Sequence, residues 1–341
     1  MKYCRILDIK VRLLKWPSYG RLWRPVSNGM DLRRKKIFLT GVDEFLGQPV
    51  YRKLLERGAL KENILIQHYK DYDLREMAHC KKLVKGREII IHLAGRVGGI
   101  GFNREHPGQA FYDNAAMAIN LLEACRLEGV EKFVGIGTVC SYPKFTPTPF
   151  KEDDLWNGYP EETNASYGLA KKMMLAQSQA YRQEYGLNAV HLLMVNLYGP
   201  GDDFNPKSSH VIAALILKIA EAKEQNFPFI EAWGTGKASR EFLYVEDAAE
   251  GVVLAAEKYD KPEPVNMGAG REITIKDLTE TLCRLMEYKG EIRWDASRPD
   301  GQPRRVLDVS RAEKEFGFKA KTDFDTGLKK TIEWFQDNIR I

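Results

Sequence analysis

Cysteine and histidine are scarce in this 341-residue chain, and neither is clustered. The five cysteines, at positions 4, 80, 125, 140 and 283, include no CxxC pair, so the sequence indicates no disulfide framework. The six histidines form no cluster with the spacing of metal ligands, which leaves a zinc site without support. Because disulfides mark oxidising compartments, a reducing cytoplasm is the expected location.

The chain also lacks a long hydrophobic run. Ile6 to Leu14 is too short and too charged to span a membrane, and no small-residue cleavage site follows it. Positive charge is concentrated at the same end: residues 1–36 hold eleven Lys and Arg against two Asp, whereas the remainder holds 41 Lys and Arg against 45 Asp and Glu. The larger part is therefore mildly acidic, and the net charge of +5 does not support nucleic-acid binding.

Residues 1–34 are interpreted as a basic N-terminal extension, either disordered or upstream of a natural start at Met30. Trp16 and Trp23 stand among interspersed Arg and Lys in this segment, a composition that also fits an arm lying on a membrane surface. In both interpretations the folded part of the chain begins near Lys35.

From Lys35 onward, strand and helix patterns alternate. The predicted strands are 37–40, 63–67, 88–93, 132–136 and 189–195, and the predicted helices are 45–57, 107–129 and 167–185. Such alternation is typical of an α/β, Rossmann-type doubly wound parallel sheet covered by helices on both faces. Past residue 200 the alternation of strand and helix patterns becomes less regular. We therefore expect a dinucleotide-binding core over 35–200 and a smaller α/β substrate lobe over 201–341, interleaved with the core.

A pair of residues on one predicted helix indicates proton-transfer chemistry. Tyr167 and Lys171 are four residues apart, so both side chains lie on the same helix face. An ammonium beside a phenol favours the phenolate and lowers the phenol pKa toward neutrality, where it exchanges protons with an alcohol or a ketone. Alone, this spacing also fits a solvated helix face. Thr138, at the end of a buried parallel strand, favours the chemical interpretation because ligands bind at that edge of such sheets.

The first strand is followed by a glycine-containing loop of the kind that places a pyrophosphate at a helix N-terminus. Gly41 and Gly47 are the first and last glycines of a GxxGxxG pattern, but Glu44 occupies the middle position. A Cβ there restricts close backbone approach, and a carboxylate repels phosphates. The position of the loop after the first strand nevertheless predicts cofactor binding.

Seven longer stretches resemble the extended short-chain dehydrogenase/reductase family. They are RVGGI (96–100), CSYPK (140–144), NLYGP (196–200), SHVI (209–212), WGTG (233–236), REFLYVED (240–247) and PDGQPRR (299–305). The resemblance covers roughly residues 35–338. It implies NADPH-dependent 3,5-epimerisation and 4-reduction of GDP-4-keto-6-deoxy-D-mannose to GDP-L-fucose, with no metal.

The resemblance also implies catalytic roles. Tyr167 would protonate the C4 oxygen, Lys171 would hold the ribose, and Thr138 stands where the family has an active-site Ser. Cys140 and His210 match the pair that removes and returns the proton beside the C4 ketone. Both side chains titrate within reach of neutral pH, as such a pair requires.

Two binding regions follow from the same resemblance. The cofactor-binding positions would be Gly41, Val42, Asp43, Phe45, Leu46, Gly47, His68, Lys70, Ile136, Gly137, Thr138, Tyr167, Lys171, Asn196, Leu197 and His210. The GDP-sugar positions would be Lys218, Trp233, Arg240, Asp300 and Arg305. Arg240 and Trp233 would alternatively only pack the lobes together. A homodimer formed through long helices is also implied.

Cofactor choice and substrate remain open between alternatives. His68 and Lys70 follow the second strand where NAD enzymes usually have an acidic residue, which favours NADP. Asp43 favours NAD, because some family members carry an Arg there that grips the 2′-phosphate. The alternatives in function are a 4-epimerase or a 4-keto reductase acting on another nucleotide sugar, and a non-catalytic nucleotide-sugar sensor, which Glu44 suggests.

Overall fold

The computed structural model describes residues 29–340 apart from Tyr69, Lys207 and Pro299. Residues 1–28, which hold most of the basic N-terminal extension, lie outside the described part, so the interpretation of that segment stays a prediction. Pro299, the first residue of the PDGQPRR stretch, lies outside it as well.

Strands and helices alternate through the first half of the described chain. The strands are β1 (Ile37–Thr40), β2 (Ile64–Ile66), β3 (Ile89–His92), β4 (Lys132–Thr138), β5 (Ala189–Met194), β6 (Asn196–Tyr198), β7 (Phe229–Trp233), β8 (Ser239–Tyr244), β9 (Val265–Met267), β10 (Glu272–Thr274) and β11 (Glu291–Asp295). The helices are α1 (Gly47–Glu56), α2 (Met77–Val84), α3 (Ile100–Glu105), α4 (Pro107–Glu128), α5 (Ala165–Tyr185), α6 (Val211–Glu224), α7 (Val245–Lys258), α8 (Ile275–Leu285), α9 (Ser310–Phe316) and α10 (Phe324–Asn338).

The main sheet has six strands in the order β2-β1-β3-β4-β5-β9, and all its neighbours pair in parallel. Every residue of β1, β3 and β4 is buried, because helices cover both faces of the sheet. This burial explains why these strands are continuous apolar runs in the sequence and do not alternate. The predicted α/β fold class is confirmed.

The predicted elements agree with the structure to within a few residues. All five predicted strands and all three predicted helices are present. The strand predicted over 132–136 continues to Thr138, and the helix predicted over 45–57 begins at Gly47, after the glycine loop. Helix α2, between β2 and β3, was not predicted because its eight residues carry only a short apolar pattern.

The chain beyond residue 200 contributes to two regions. A three-stranded sheet (β10-β8-β6) and a two-stranded sheet (β11-β7) surround a second core that includes Phe204, Ile216, Phe242 and Phe335. Strand β9 instead joins the main sheet beside β5. The two regions are thus interleaved along the sequence, and the junction near residue 200 stays a prediction.

A buried ion pair connects β4 to the segment that follows α7. The Lys132 side chain is fully buried, and its Nζ donates to Asp260 Oδ1 at 2.9 Å and to the Ala255 carbonyl at 3.1 Å. Burial lowers the pKa of Lys132, with the Asp260 charge acting in the opposite direction. Asn188 Nδ2 donates to the same Asp260 oxygen at 2.8 Å.

Replacing Asp260 by alanine is expected to lower the free energy of unfolding by about 3 kcal/mol, because Lys132 keeps a buried charge without its partner. Urea unfolding of the single variant measures this loss. In the Lys132→Met/Asp260→Ala double variant no buried charge is left unpaired, so much of the stability should return. Additive losses in the double variant would contradict a coupled pair.

Candidate active site

The strand order of the main sheet reverses at β1. From β1 the chain moves outward to β2 and then returns to β3 on the other side, so a crevice opens at the carboxyl ends of β1 and β3. A cavity of about 190 Å³ lies there, lined by residues that follow β1, β2 and β3. Open α/β sheets bind nucleotides at such a switch point.

The glycines of the first loop allow the backbone to fold tightly under this cavity. Gly41 has φ +70°, and a Cβ there would lie 2.6 Å from the backbone nitrogen of Ala94. A Cβ on Gly47 would collide with the carbonyl oxygen of Gly41. Both positions therefore require glycine, as the GxxGxxG pattern indicates. The loop leads directly into α1, whose N-terminus suits an anionic group.

Glu44 points across this loop toward the reacting part of the molecule. Its Oε1 accepts a hydrogen bond from the Gly95 backbone at 3.4 Å, and it interacts electrostatically with Lys171. Part of the Glu44 residue is exposed to solvent, but the protein displaces water from around its carboxyl group. This desolvation raises the pKa of Glu44 to about 7, while the Gly95 hydrogen bond and the Lys171 charge act in the opposite direction. Glu44 is therefore close to its titration point at neutral pH.

The predicted 2′-phosphate contacts lie near the ends of β1 and β2. His68 Nδ1 is 2.8 Å from Asp43 Oδ2, and both side chains are about half exposed. Lys70 is exposed on the loop after β2. Sequence reasoning missed Arg75, which lines the cavity and is held by Asp73 and by Asp113 at 2.7 Å. Three basic side chains therefore lie on this side of the switch point.

The loop after β4 is fixed close to α5. Thr138 ends β4, and its Oγ1 accepts a hydrogen bond from the Cys140 backbone at 3.2 Å. Ser141 Oγ donates to the Gly168 carbonyl at 2.9 Å. A Cβ on Gly168 would collide with the carbonyl oxygen of Cys140. The glycine next to Tyr167 therefore allows the helix to approach the cysteine loop.

Tyr167, Thr138 and Cys140 lie together at this point. The Tyr167 hydroxyl is close enough to Thr138, Cys140 and Glu44 for all three side chains to affect its pKa. Burial has the largest effect and raises the pKa of Tyr167; the electrostatic influence of Cys140 and Glu44 raises it further, and the Thr138 side chain acts in the opposite direction. The sequence predicted a lowered value. It did not include the burial or the charges of Cys140 and Glu44.

Lys171 lies between the reacting groups and the cofactor crevice. Its residue surface is 4% exposed, and burial lowers its pKa to about 8, with Glu44 acting in the opposite direction. A Cβ on Gly95 would lie 3.1 Å from Lys171 Nζ, so this glycine leaves room for the ammonium beneath the cavity. These observations fit a dinucleotide whose phosphates lie at the first loop and whose ribose reaches Lys171.

The remaining predicted cofactor positions differ in their exposure. Val42, Leu46, Ile136 and Gly137 are buried, whereas Phe45, Asn196 and Leu197 are partly exposed. Asn196 Nδ2 donates to the Glu241 carbonyl at 3.4 Å. The contacts of these positions with a cofactor stay a prediction.

The two residues predicted to exchange the substrate proton lie on different elements. Cys140 is partly exposed in the loop after β4, and its Sγ accepts a hydrogen bond from Arg305 Nη1 at 3.6 Å. His210 immediately precedes α6, and burial lowers its pKa, with the Asp203 charge acting in the opposite direction. The loop before His210 contacts the loop between β3 and α3, because Gly99 N donates to the Ser208 carbonyl at 3.3 Å.

Lys218 and Trp233 form an exposed aromatic and basic surface in the second region. Lys218 Nζ lies 5.3 Å from the centre of the Trp233 ring, and the Arg298 guanidinium lies 5.0 Å from it. Trp233 is 59% exposed, so much of the indole is accessible to solvent. The sequence analysis did not select Arg298, because only the fold brings it next to Trp233.

Arg240 and Asp300 are engaged within the protein. The Arg240 guanidinium donates to the backbone carbonyls of Asp300 at 2.8 Å and Gln302 at 2.6 Å. The Asp300 carboxylate accepts from the Thr235 backbone at 2.8 Å and from its hydroxyl at 2.7 Å. Both residues shape the loop that carries Arg305. A direct role of either in binding GDP stays a prediction.

No helix in residues 29–340, the part of the chain that the structure describes, is long and apolar enough to cross a membrane.

Known proteins resemble this chain over most of its length. A GDP-L-fucose synthase from Sinorhizobium fredii is 36% identical over 307 residues, which is 89% of this chain and 96% of that protein. A GDP-L-fucose synthetase from Naegleria fowleri, solved bound to NADP, superposes with a TM-score of 0.82 at 26% identity, covering 92% of this chain and 97% of its own. A GDP-6-OMe-4-keto-L-xylo-heptose reductase from C. jejuni has a TM-score of 0.82 at 26% identity, covering 91% and 100%. The model of the NAD dependent epimerase/dehydratase family matches residues 37–268, and the chain belongs to that family.

Proposed function

We propose that this protein converts GDP-4-keto-6-deoxy-D-mannose to GDP-L-fucose by epimerising C3 and C5 and then reducing C4 with NADPH. The observation that carries this proposal is the placement of a thiol beside a Thr–Tyr hydroxyl pair. Cys140 and Thr138 belong to one loop, and both interact with Tyr167. Such a site can accept a proton from carbon and support charge on the neighbouring oxygen. Relatives at 32–36% identity that are described as GDP-L-fucose synthases support the choice of sugar.

In the epimerisation, Cys140 removes the proton from the carbon beside the C4 ketone. The negative charge that develops on the C4 oxygen is stabilised by the hydroxyls of Tyr167 and Thr138. His210 returns a proton on the opposite face, because inversion needs a donor on the side away from the base. Burial lowers the pKa of His210, so the imidazole is mostly neutral near neutral pH and must take up a proton from solvent before it can return one to the substrate.

In the reduction, Tyr167 donates its proton to the C4 oxygen. NADPH, when bound, supplies the hydride that reaches C4. Lys171 lies four residues further along α5. At a pH below its pKa of about 8 it carries a positive charge near the developing oxyanion. Tyr167 then regains a proton before the next turnover, so the net change is addition of a hydride and a proton to a carbonyl.

We propose NADPH over NADH as the reductant. Three basic side chains, His68, Lys70 and Arg75, lie near the ends of β1 and β2, where the adenosine ribose of a dinucleotide would lie, and Arg75 also pairs with Asp73 and Asp113. The Asp43 carboxylate is engaged with His68, whose Nδ1 lies 2.8 Å from Asp43 Oδ2. The NADP-bound Naegleria fowleri structure, at 26% identity, supports the same choice.

NADPH binding is expected to weaken by about tenfold as the pH rises from about 6 to about 9. Glu44 gains a negative charge as the pH passes its pKa of about 7, and Lys171 loses a positive charge as the pH passes about 8. Both changes disfavour a polyanion. Titration calorimetry at a series of pH values, with the ionic strength held constant, measures the dissociation constant directly.

Glu44→Gln removes the carboxylate and keeps the size of the side chain. We expect this variant to bind NADPH more tightly than the wild type above neutral pH. The only remaining decrease in its NADPH affinity should be the one that accompanies deprotonation of Lys171 near pH 8. Glu56→Gln is the matched control, since Glu56 is an exposed carboxylate on α1 that pairs with Lys53 at 2.7 Å. A pH dependence that is the same in both variants would contradict the assignment to Glu44.

The proposed reaction is tested by incubating the protein with NADPH and GDP-4-keto-6-deoxy-D-mannose in deuterated water. The expected result is NADPH oxidation, deuterium at C3 and C5, and GDP-L-fucose as the product. Panels of other 4-keto nucleotide sugars measure specificity. No turnover of any of them, together with nucleotide-sugar binding, would overturn the proposal in favour of a sensor.

A reductase that does not epimerise its substrate is the second candidate. The similarity to a C. jejuni GDP-4-keto-heptose reductase, with a TM-score of 0.82, favours it as the alternative. The same incubation separates the two functions, because a simple reductase oxidises NADPH without placing deuterium at C3 or C5.

We also propose that the protein is a cytoplasmic homodimer. Phe111, Tyr112 and Ile119 on α4 and Tyr185 on α5 are between 40% and 61% exposed, although these two long helices pack against each other. An apolar helix face of this kind suits a second copy of the chain. Sedimentation velocity with a Tyr112→Glu variant tests the interface, because a charge there should shift the protein toward monomer.

A further inference from the structure

We propose that Gln302 is a positioning residue that holds Arg305 against the sulfur of Cys140. It thereby keeps a permanent positive charge beside the thiol that the proposed function uses as a base. The proposal rests on that function for the role of Cys140, but the geometry of the Gln302, Arg305 and Cys140 side chains stands independently of it.

One end of the Gln302 side chain fixes the guanidinium. Gln302 Oε1 accepts from Arg305 Nε at 3.1 Å and from Arg305 Nη2 at 2.9 Å. Both residues are 7% exposed. A guanidinium held along one edge in this way presents its remaining nitrogen in a fixed direction. That nitrogen, Nη1, donates to Cys140 Sγ at 3.6 Å.

The other end of the same side chain fixes the cysteine loop. Gln302 Nε2 donates to the Lys144 carbonyl at 2.7 Å and approaches the Pro143 carbonyl at 3.5 Å. Both carbonyls belong to the segment that begins with Cys140. The Gln302 backbone is itself held, because its carbonyl accepts from Arg240 Nη1 at 2.6 Å. One buried amide therefore connects the cation and the thiol that it faces.

The chemistry explains why an uncharged amide suits this position. An arginine in a protein cannot lose its proton, so its charge beside a thiol persists at every working pH. An adjacent cation favours the thiolate, which is the form that acts as a nucleophile and as a base. A carboxylate at position 302 would neutralise Arg305 and weaken this effect, whereas the amide oxygen orients the guanidinium without cancelling its charge.

The test is the rate of Cys140 alkylation by iodoacetamide in the full-length protein without substrate, followed at the Cys140 peptide by mass spectrometry over a range of pH. Only the thiolate reacts. Gln302→Met and Arg305→Met are expected to slow alkylation near neutral pH severalfold, because each variant removes the fixed cation from beside the sulfur. At high pH the rates of all variants should converge, because the thiol is then ionised in each.

Arg304→Met is the matched control. Arg304 is the adjacent arginine, is 57% exposed and pairs with Glu272, away from Cys140. It should leave alkylation unchanged. Arg305→Lys keeps the charge without the planar fork and should fall between the wild type and Arg305→Met. Converging rates at high pH also show that Cys140 keeps its accessibility, so a variant that misfolds is recognised by rates that differ at every pH.

Two results would overturn the proposal. One is a Gln302→Met alkylation profile that superposes on the wild-type profile. The other is an equal slowing in Arg304→Met, which would make the effect a general one of surface charge. A failure of the proposed function is distinguishable, since it would abolish turnover in the wild type while leaving the differences in alkylation. Where turnover is found, Gln302→Met should slow deuterium incorporation more than reduction of an already epimerised ketone.

Discussion

Replacing Tyr167 by phenylalanine is expected to lower kcat for NADPH-dependent reduction by about 100-fold or more, because the reaction loses its positioned proton donor. The aromatic ring remains, so binding of the nucleotide sugar in the second region should change little. Single-turnover NADPH oxidation measures the chemical step, and calorimetry with GDP measures binding. Burial and the charges of Cys140 and Glu44 raise the pKa of Tyr167, so the wild-type hydroxyl is protonated at neutral pH, as a donor must be.

Tyr181→Phe is the matched control for this variant. Tyr181 lies on the same helix, and its hydroxyl donates to Glu123 at 2.8 Å, on the α4 side of α5. Removing that hydroxyl tests the general effect of a lost tyrosine hydrogen bond on α5 and should leave kcat close to the wild-type value. Turnover retained in Tyr167→Phe would contradict the proton-donor role.

The reacting end of the site follows from patterns that are local in the sequence. The end of a buried strand places Thr138 and Cys140 at the carboxyl edge of the sheet, and helical spacing places Tyr167 and Lys171 on one face of α5. Gly168, beside Tyr167, permits the close approach of these two elements. Strand ends and helix faces leave local patterns in the sequence, so the elements that carry these four residues were predictable, while the roles of the residues stay predictions.

Contacts between distant segments were not predictable in this way. Arg298 reaches Trp233 because β11 pairs with β7. Gln302 reaches Lys144 because the loop that carries it lies against the cysteine loop. The pKa of Tyr167 was predicted to be lowered, since the sequence displays Lys171 four residues away but not the burial of the phenol. The direction of a pKa shift depends on the whole environment of a group, which only the fold assembles.

Cys140→Ser is expected to slow the exchange of the C3 and C5 protons with solvent by about 100-fold or more, because a hydroxyl is a much weaker base than a thiolate. Reduction of a ketone that is already epimerised does not use this base and should be affected far less. Deuterium incorporation into the substrate, followed by nuclear magnetic resonance without reductant, measures the first process. NADPH oxidation with the epimerised ketone measures the second.

Ser141→Ala separates chemistry from loop geometry in this comparison. Its hydroxyl donates to the Gly168 carbonyl at 2.9 Å and helps to hold the cysteine loop against α5. Loosening the loop should slow exchange and reduction together, because Cys140, Thr138 and Tyr167 would all lose their mutual positions. Cys140→Ser should instead split the two rates. If Cys140→Ser lowered both rates equally, as the Ser141 variant does, Cys140 would be a packing residue, and the base that opens the epimerisation would have to be sought elsewhere in the site.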